Sequence, residues 1–183
     1  MFPKFEKKDI LTIPNILSFV RLLLIPLIVV LYCVYDSYTW AAVVIVISGL
    51  TDVIDGRIAR KYGLVSDFGK MLDPVADKLT QAAVLLCLVT RFKYMLFLFG
   101  LMFVKELFMA VTGILRIRHT GEVYGADWHG KLNTVLLYTI MVIHIIWHSI
   151  PPVVSNIMIA VCFCVMALSM ILYGIQNIKN IRS

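Results

Sequence analysis

The sequence predicts an all-α, polytopic membrane protein with six transmembrane helices. Of its 183 residues, 61% are hydrophobic and only 15% are charged, and the mean hydropathy is +0.91. Water-soluble domains are nearer half apolar and a quarter charged, so this composition excludes a soluble enzyme, a coiled coil and a disordered tail. Six apolar segments occur, each near the ~20 residues that a helix needs to cross the hydrocarbon core of a membrane.

The six predicted spans cover, in order, about 16–35, 38–60, 71–91, 94–117, 132–150 and 152–176. They are helices because a backbone inside lipid must form its hydrogen bonds within its own segment. Pro14 and Pro152 stand at the starts of two segments, where proline suits the first helical turn. Pro26 is interior, so we expect a kink in the first helix.

Residues 1–12 precede the first span and mix Phe, Ile and Leu with lysines. This mixture fits a short interfacial amphipathic helix on the inner leaflet, and it fits a solvated tail equally well. No internal repeat or long linker divides the chain. The sequence therefore predicts a single membrane domain over residues 1–183.

Basic residues orient the spans. Seventeen Lys and Arg against eleven Asp and Glu give a net charge of +6, and basic residues gather on the cytoplasmic side of membrane proteins. With six spans both termini share one side, which holds twelve of the basic residues: Lys4, Lys7, Lys8, Arg57, Arg60, Lys61, Lys70, Arg116, Arg118, Lys131, Lys179 and Arg182. The opposite side holds Arg91 and Lys93. The sequence thus predicts cytoplasmic termini in the inner (plasma) membrane, and no nucleic-acid partner.

Cysteine and histidine give little sign of metal binding. The four cysteines lie in apolar stretches without the spacing of a metal site, so we expect small buried hydrophobic residues. His144 and His148 are four residues apart, the spacing of a two-histidine site. Because no third ligand follows, we expect them to contact neighbouring helices or the interface.

Four aspartates flank one short loop between the second and third spans. Asp52 and Asp55 are three residues apart, and Asp73 and Asp77 are four apart, so each pair shares a helix face. Four neighbouring carboxylates repel one another unless protons or cations compensate. Oxygen ligands in this number suit hard divalent cations such as Mg²⁺ or Mn²⁺, which often hold phosphates. Four acids suffice for two ions with one bridging carboxylate.

Small and basic residues accompany the acids. Gly56, Ala59 and Gly69 allow a bulky ligand to approach the backbone closely, although small residues are also common at helix contacts in membranes. Arg60 adds positive charge where a phosphate would enter. Simple anchoring at the inner face is the alternative for Arg60.

The same residues carry a resemblance to a known family. Asp52-Val-Ile-Asp55-Gly56-Arg-Ile-Ala59-Arg60, eight residues and Gly69-Lys-Met-Leu-Asp73-Pro-Val-Ala-Asp77 follow the pattern D-x₂-D-G-x₂-A-R-x₈-G-x₃-D-x₃-D. This pattern resembles the signature of the CDP-alcohol phosphatidyltransferases. The segment from Ile13 to Arg21 is similar to the Pro-Asn-x-Leu-Thr/Ser-x-x-Arg opening of the phosphatidylglycerophosphate and cardiolipin synthase branches.

The resemblance implies CDP-diacylglycerol as the donor and two Mg²⁺ or Mn²⁺ ions as cofactors. An acceptor hydroxyl attacks the phosphorus that carries the diacylglycerol, and CMP leaves. The implied metal ligands are Asp52, Asp55, Asp73 and Asp77, and the implied general base is Asp77. The implied nucleotide-binding residues are Asp52, Gly56, Ala59, Arg60 and Gly69. A homodimer among membrane lipids and a cytoplasmic active site are implied as well.

The acceptor depends on basic groups outside this motif, for which the candidates are Arg21, Lys105, Arg116, Arg118 and Lys131. Lys105 and Glu106 fall within a predicted span, where ionisable residues are functional or pair with one another. The favoured acceptor is glycerol 3-phosphate. Residues 130–134 resemble the Gly-Lys-x-Lys-Thr of phosphatidylglycerophosphate synthases, but Asn133 replaces the second lysine. The resulting Lys-x-Asn-Thr is more similar to eukaryotic-type cardiolipin synthases.

Three alternatives stay open from the sequence. Phosphatidylglycerol as the acceptor would make the chain a cardiolipin synthase, and inositol phosphate would make it another CDP-alcohol phosphatidyltransferase. From a different class, a divalent-cation transporter would also carry intramembrane acids. The acids crowd one end of the spans and the other end offers no matching polar residues, which favours the enzyme.

Overall fold

A computed structural model describes residues 13–62, 67–120, 128–147 and 149–182. Within these ranges the chain forms six helices and no strand, as the sequence predicts. They are α1 (Ile13–Cys33), α2 (Tyr38–Tyr62), α3 (Asp67–Val89), α4 (Met95–Thr120), α5 (Trp128–Ile146) and α6 (Pro152–Arg182). The predicted interfacial helix over residues 1–12 lies outside the described residues.

Two predicted boundaries are wrong by four residues at the start of the helix. α3 begins at Asp67 instead of 71, and α5 begins at Trp128 instead of 132. In both cases the helix includes a polar first turn that hydropathy alone assigns to the loop. As a result Asp73 and Asp77 lie within α3, on either side of Pro74, and not at its start.

Among the described residues, three helices are long and apolar enough to cross a membrane, over Asn15–Cys33, Met95–Gly113 and Pro152–Gln176. Two shorter apolar stretches, Tyr38–Thr51 in α2 and Gly130–Ile146 in α5, accompany them. The described helices therefore belong to a membrane protein, and three of the six predicted spans meet the criteria of length and composition.

The chain divides into two compact units, residues 1–87 and 88–183. In the first unit α1 and α2 pack along each other and are joined by a tight turn. Asp36 in this turn has a φ of 51°, a left-handed conformation that Asp tolerates better than most residues. The Tyr38 hydroxyl donates to Asp36 Oδ1 at 2.8 Å, which fixes the turn.

In the second unit α6 packs against both α4 and α5. His144 of α5 is buried there, with Nδ1 at 2.8 Å from the Ile140 carbonyl oxygen and Nε2 at 3.0 Å from Ser155 Oγ of α6. A carbonyl oxygen only accepts, so we assign the proton to Nδ1, and Nε2 then accepts from the Ser155 hydroxyl. The predicted helix-contact role of His144 is confirmed.

The expectation of buried cysteines is wrong for two of the four. Cys87 and Cys162 are buried, whereas Cys33 and Cys164 are exposed. Cys33 is the last residue of α1, and an apolar stretch that faces lipid, such as the one around Cys164 in α6, has no need to bury every small residue. Hydropathy therefore indicates their depth in a span without indicating the side of the helix.

Glycines allow α6 to approach its neighbours closely. A Cβ atom on Gly130 of α5 would overlap the hydroxyl of Tyr173 on α6, and a Cβ on Gly174 would lie 3.2 Å from Cζ of Phe108 on α4. Small residues at such contacts are a common device in membrane helix packing. Gly100 of α4, by contrast, has no neighbouring atom within 4 Å of the place that a Cβ would occupy.

We expect Gly130→Ala to lower the free energy of unfolding by about 1–3 kcal/mol, the usual cost of overpacking. The matched variant Gly100→Ala has room for its methyl group, so it should unfold at or above the wild-type temperature because alanine favours the helix. Thermal unfolding in detergent micelles measures both variants. Adding Tyr173→Phe to Gly130→Ala removes the overlapping oxygen and should recover part of the loss. A Gly130→Ala protein as stable as wild type would contradict this account of the contact.

Candidate active site

The aspartate motif lies on two helices of the first unit. α2 carries Asp52, Asp55, Gly56, Ala59 and Arg60 in its C-terminal half. The structure gives their place in the helix, but their side chains lie outside the described residues. The rest of the motif is on α3, where Gly69 is buried and Asp73 and Asp77 are half-buried.

A buried polar stripe runs along the otherwise apolar α1. Asn15, Ser18 and Arg21 follow at intervals of three residues and are each no more than 1% exposed, so they share one face. Arginine does not lose its proton in proteins, and a buried charge is costly unless other groups compensate it. Three such buried polar residues on one face of a helix need polar partners on a neighbouring helix.

For Ser18 that neighbouring helix is α3. The Ser18 hydroxyl donates a hydrogen bond to Oδ1 of Asp73, which ties the polar stripe of α1 to the aspartate motif. One helical turn further along α3, Nε2 of the buried Gln81 donates to Oδ2 of Asp77 at 2.9 Å. Each of the two carboxylates thus has one oxygen held by a neutral donor, and this orients both of them.

The donor set fits a hard divalent cation. In the part of the chain whose side chains are described, no group of three or more His, Cys, Asp or Glu residues could hold a metal ion; Asp52 and Asp55 fall outside that part. The ligands that Asp73 and Asp77 offer are carboxylate oxygens, as Mg²⁺ and Mn²⁺ prefer. In metal sites, ligating carboxylates are commonly oriented by hydrogen bonds from outer partners, and Ser18 and Gln81 donate such bonds here.

The acceptor candidates lie in different surroundings. Arg21 on α1 and Lys105 on α4 are buried, Glu106 is half-buried and Lys131 on α5 is exposed. Arg116 and Arg118 belong to the last turns of α4, and their side chains lie outside the described residues. The burial of Lys105 agrees with its predicted position within a span.

Asn133 adds a polar group to the second unit. It is 4% exposed, and its Oδ1 has no hydrogen-bond partner among the described residues. A buried carbonyl oxygen without a donor is costly, so this oxygen calls for a donor from a ligand or from a side chain outside the described residues. The sequence singled out this position because asparagine stands where a lysine was expected.

Two residues of the site were missed by sequence reasoning, Ser18 and Gln81. Ser18 belongs to the opening segment that includes Arg21, and a polar residue three positions before a buried arginine was a usable signal. Gln81 follows Asp77 by four residues, the spacing at which side chains on a helix meet. Neither signal specifies the partner, because a serine in a membrane helix also bonds its own backbone.

Residues 11–173 match the family model of the CDP-alcohol phosphatidyltransferases. The chain belongs to this family. The match covers most of the sequence, including the aspartate motif and all of α2 to α5, and members of the family generally use divalent metal ions.

Relatives with two different names are similar to the chain. A CDP-diacylglycerol–glycerol-3-phosphate 3-phosphatidyltransferase of Rickettsia typhi is 42% identical over 81 residues, 43% of this chain and 46% of that protein. A CMP-forming cardiolipin synthase of Streptomyces coelicolor is 38% identical over 137 residues, 72% of this chain and 63% of that protein. The CDP-diacylglycerol–glycerol-3-phosphate 3-phosphatidyltransferase of Bacillus subtilis is 34% identical over 137 residues, 67% of this chain and 70% of that protein. The chain thus spans less than two thirds of the length of the Rickettsia typhi and Streptomyces coelicolor proteins.

Removing the hydroxyl of Ser18 tests whether it orients Asp73. Loss of an outer partner typically weakens metal binding about 10–100-fold, so Ser18→Ala should raise the Mn²⁺ concentration for half-maximal activity by about that factor. Ser18→Thr keeps a hydroxyl and should stay closer to wild type. The control is Thr139→Ala, which removes an exposed hydroxyl on α5 that bonds the Val135 carbonyl. An unchanged metal requirement in Ser18→Ala would remove this role.

Proposed function

We propose that the chain transfers the phosphatidyl group of CDP-diacylglycerol to glycerol 3-phosphate, giving phosphatidylglycerophosphate and CMP. The observation that carries the proposal is the aspartate motif on α2 and α3 with its two α3 carboxylates oriented by Ser18 and Gln81. The family match and the relatives named for this reaction in Rickettsia typhi and Bacillus subtilis support it.

The proposed metal site consists of Asp52, Asp55, Asp73 and Asp77, which would hold two Mg²⁺ or Mn²⁺ ions. When bound, such ions neutralise phosphate charge and stabilise the leaving oxygen. The motif is suited to this because neighbouring carboxylates repel one another unless cations compensate them. Gly56, Ala59 and Gly69, with Asp52 and Arg60, are proposed to receive the cytidine nucleotide; the burial of Gly69 agrees with a close backbone approach.

The proposed proton acceptor is Asp77. The hydroxyl oxygen of glycerol 3-phosphate forms the new bond to the diacylglycerol phosphorus, its proton passes to Asp77, and the bond to the bridging oxygen breaks so that CMP leaves. Gln81 holds Oδ2 of Asp77, which would aim the other oxygen of the carboxylate. General-base catalysis of this kind contributes about 10²–10⁴-fold to a rate.

The proposed arrangement in the membrane is a single domain with six spans, in which both termini and the active site face the cytoplasm across the inner membrane. It follows the distribution of Lys and Arg and leaves the lipid tails of the donor in the bilayer while its charged head reacts. Arg21, Lys105, Arg116, Arg118 and Lys131 are the proposed sources of positive charge for the acceptor phosphate. A homodimer is proposed from the resemblance alone.

Cardiolipin synthesis from phosphatidylglycerol is the second candidate. Two observations favour it: Asn133 replaces a lysine in the 130–134 segment and leaves a buried oxygen without a partner among the described residues, and the cardiolipin synthase of Streptomyces coelicolor is similar to 72% of the chain. The two reactions share the donor and the metal motif, so they differ only in which acceptor the residues outside the motif bind.

Release of CMP by the purified protein decides among the acceptors. With CDP-diacylglycerol and Mg²⁺ or Mn²⁺, we expect CMP when glycerol 3-phosphate is added, and little when phosphatidylglycerol, inositol phosphate or serine replaces it. Excess EDTA should abolish the reaction, because the carboxylates then have no ions to bind. CMP with phosphatidylglycerol alone would transfer the assignment to cardiolipin synthase. Mg²⁺ entry into vesicles without any CDP-lipid would instead support the transporter.

We expect Asp77→Asn to abolish turnover while the protein stays folded. Asparagine keeps the size of the side chain and an oxygen for Gln81, but it cannot take the acceptor proton. The rate should fall at least ~10²-fold, with an unfolding temperature near that of wild type. Asp36→Asn, the same change at the exposed turn after α1, should leave the rate unchanged. Wild-type turnover in Asp77→Asn would remove its role as the base.

A further inference from the structure

Two thiols meet at the end of α1 and α3. The Sγ atoms of Cys33 and Cys87 are 3.7 Å apart, with Cys33 exposed and Cys87 buried. Cys33 is the last residue of α1, and Cys87 lies two residues before the end of α3. The other two cysteines, Cys162 and Cys164, belong to α6 in the second unit. Nothing in the proposed transfer reaction uses a thiol.

The thiol contact lies on the same pair of helices as the contact of Ser18 with Asp73. Cys33 follows Ser18 by fifteen residues on α1, and Cys87 follows Asp73 by fourteen on α3. At 1.5 Å per residue the two intervals are about 22 and 21 Å long. Because Ser18 also touches Asp73, α1 and α3 run parallel and in register, and the same register that joins the polar groups brings the two sulfur atoms together.

The surroundings place the thiol pair at a membrane–water boundary. Tyr35, Asp36 and Trp40 follow Cys33 and are exposed, and Arg91 and Lys93 follow Cys87 and are exposed. Aromatic and charged side chains gather at the level of the lipid headgroups. A soluble oxidant therefore reaches this end of α1, which it would not do at mid-span. In the proposed orientation this is the extracytoplasmic side, where disulfides persist.

We propose that Cys33 and Cys87 form a reversible intramolecular disulfide that joins α1 to α3 at the end away from Asp73. The oxidant is of the thiol–disulfide class, such as an oxidised dithiol protein or glutathione disulfide. The Cys33 thiolate attacks one sulfur of the oxidant and releases one thiol; the Cys87 thiolate then attacks Cys33 Sγ and releases the second. The protein loses two protons and two electrons, and the oxidant gains them.

The required movement is small. A disulfide has an S–S distance of about 2.05 Å, so the two sulfur atoms must approach by about 1.7 Å from their present 3.7 Å. Cys33 is exposed and ends its helix, so its side chain is the one that moves. The bridge would close a loop over residues 34–86 that contains all four aspartates of the motif, and it would limit how far α1 and α3 separate.

The experiment uses the full chain with Cys162→Ala and Cys164→Ala, which leaves only the pair. After incubation with glutathione disulfide, the denatured protein is labelled with a polyethylene-glycol maleimide. We expect loss of both labels and their return after reduction with dithiothreitol. A non-reduced digest should contain the Cys33 and Cys87 peptides joined and lighter by two hydrogen atoms. The unfolding temperature should rise on oxidation and return to its starting value on reduction.

Matched variants separate the outcomes. In Cys33→Ser/Cys87→Ser the remaining Cys162 and Cys164 are two residues apart on a helix and do not face each other, so both should stay labelled. The proposal would be overturned if the Cys162→Ala/Cys164→Ala protein still took up both maleimide labels after treatment with a stronger oxidant such as copper phenanthroline. Glutathione attached to Cys33 without a bridge, or a cross-link between two chains, would also overturn it. None of these readouts depends on phosphatidyltransferase activity.

Discussion

The structure of the first unit depends on one requirement: polar groups inside apolar helices need polar partners. Ser18 on α1 and Asp73 on α3 satisfy this requirement for each other, and Gln81 does so for Asp77. In water such bonds contribute little, because the solvent competes for every donor and acceptor. In an apolar surrounding the competitor is missing, so the same bonds decide which faces of the helices meet.

This requirement connects folding with the proposed chemistry. A cluster of carboxylates in membrane helices is unfavourable until cations neutralise it. Ser18 and Gln81, which hydrogen-bond Asp73 and Asp77, are neutral donors. Neutral donors leave the negative charge in place for a metal ion, whereas an arginine paired directly with each aspartate would neutralise it. Serine and glutamine at these two positions therefore suit the proposed metal site.

Much of this arrangement could be predicted from the sequence, and the missing parts have identifiable causes. Hydropathy predicts all six helices, but it cannot recognise the polar first turns at Asp67 and Trp128, since those residues resemble a loop in composition. The aspartate spacing indicates the family and the motif. It does not indicate Ser18 as the partner of Asp73, because that contact joins residues 55 positions apart and depends on the register of two parallel helices. The exposure of Cys33 was missed because Cys33 ends α1, and an apolar composition does not indicate which residues of a helix are buried.

The parallel register of α1 and α3 also restricts how the first unit can deform when a substrate enters or leaves. Sliding α3 along its axis by one turn, about 5.4 Å, would break the contacts at both ends at once. A piston-like stroke is therefore disfavoured. Rotation about either contact point preserves that contact while the opposite ends of the two helices spread, so rotation breaks one contact where sliding breaks two.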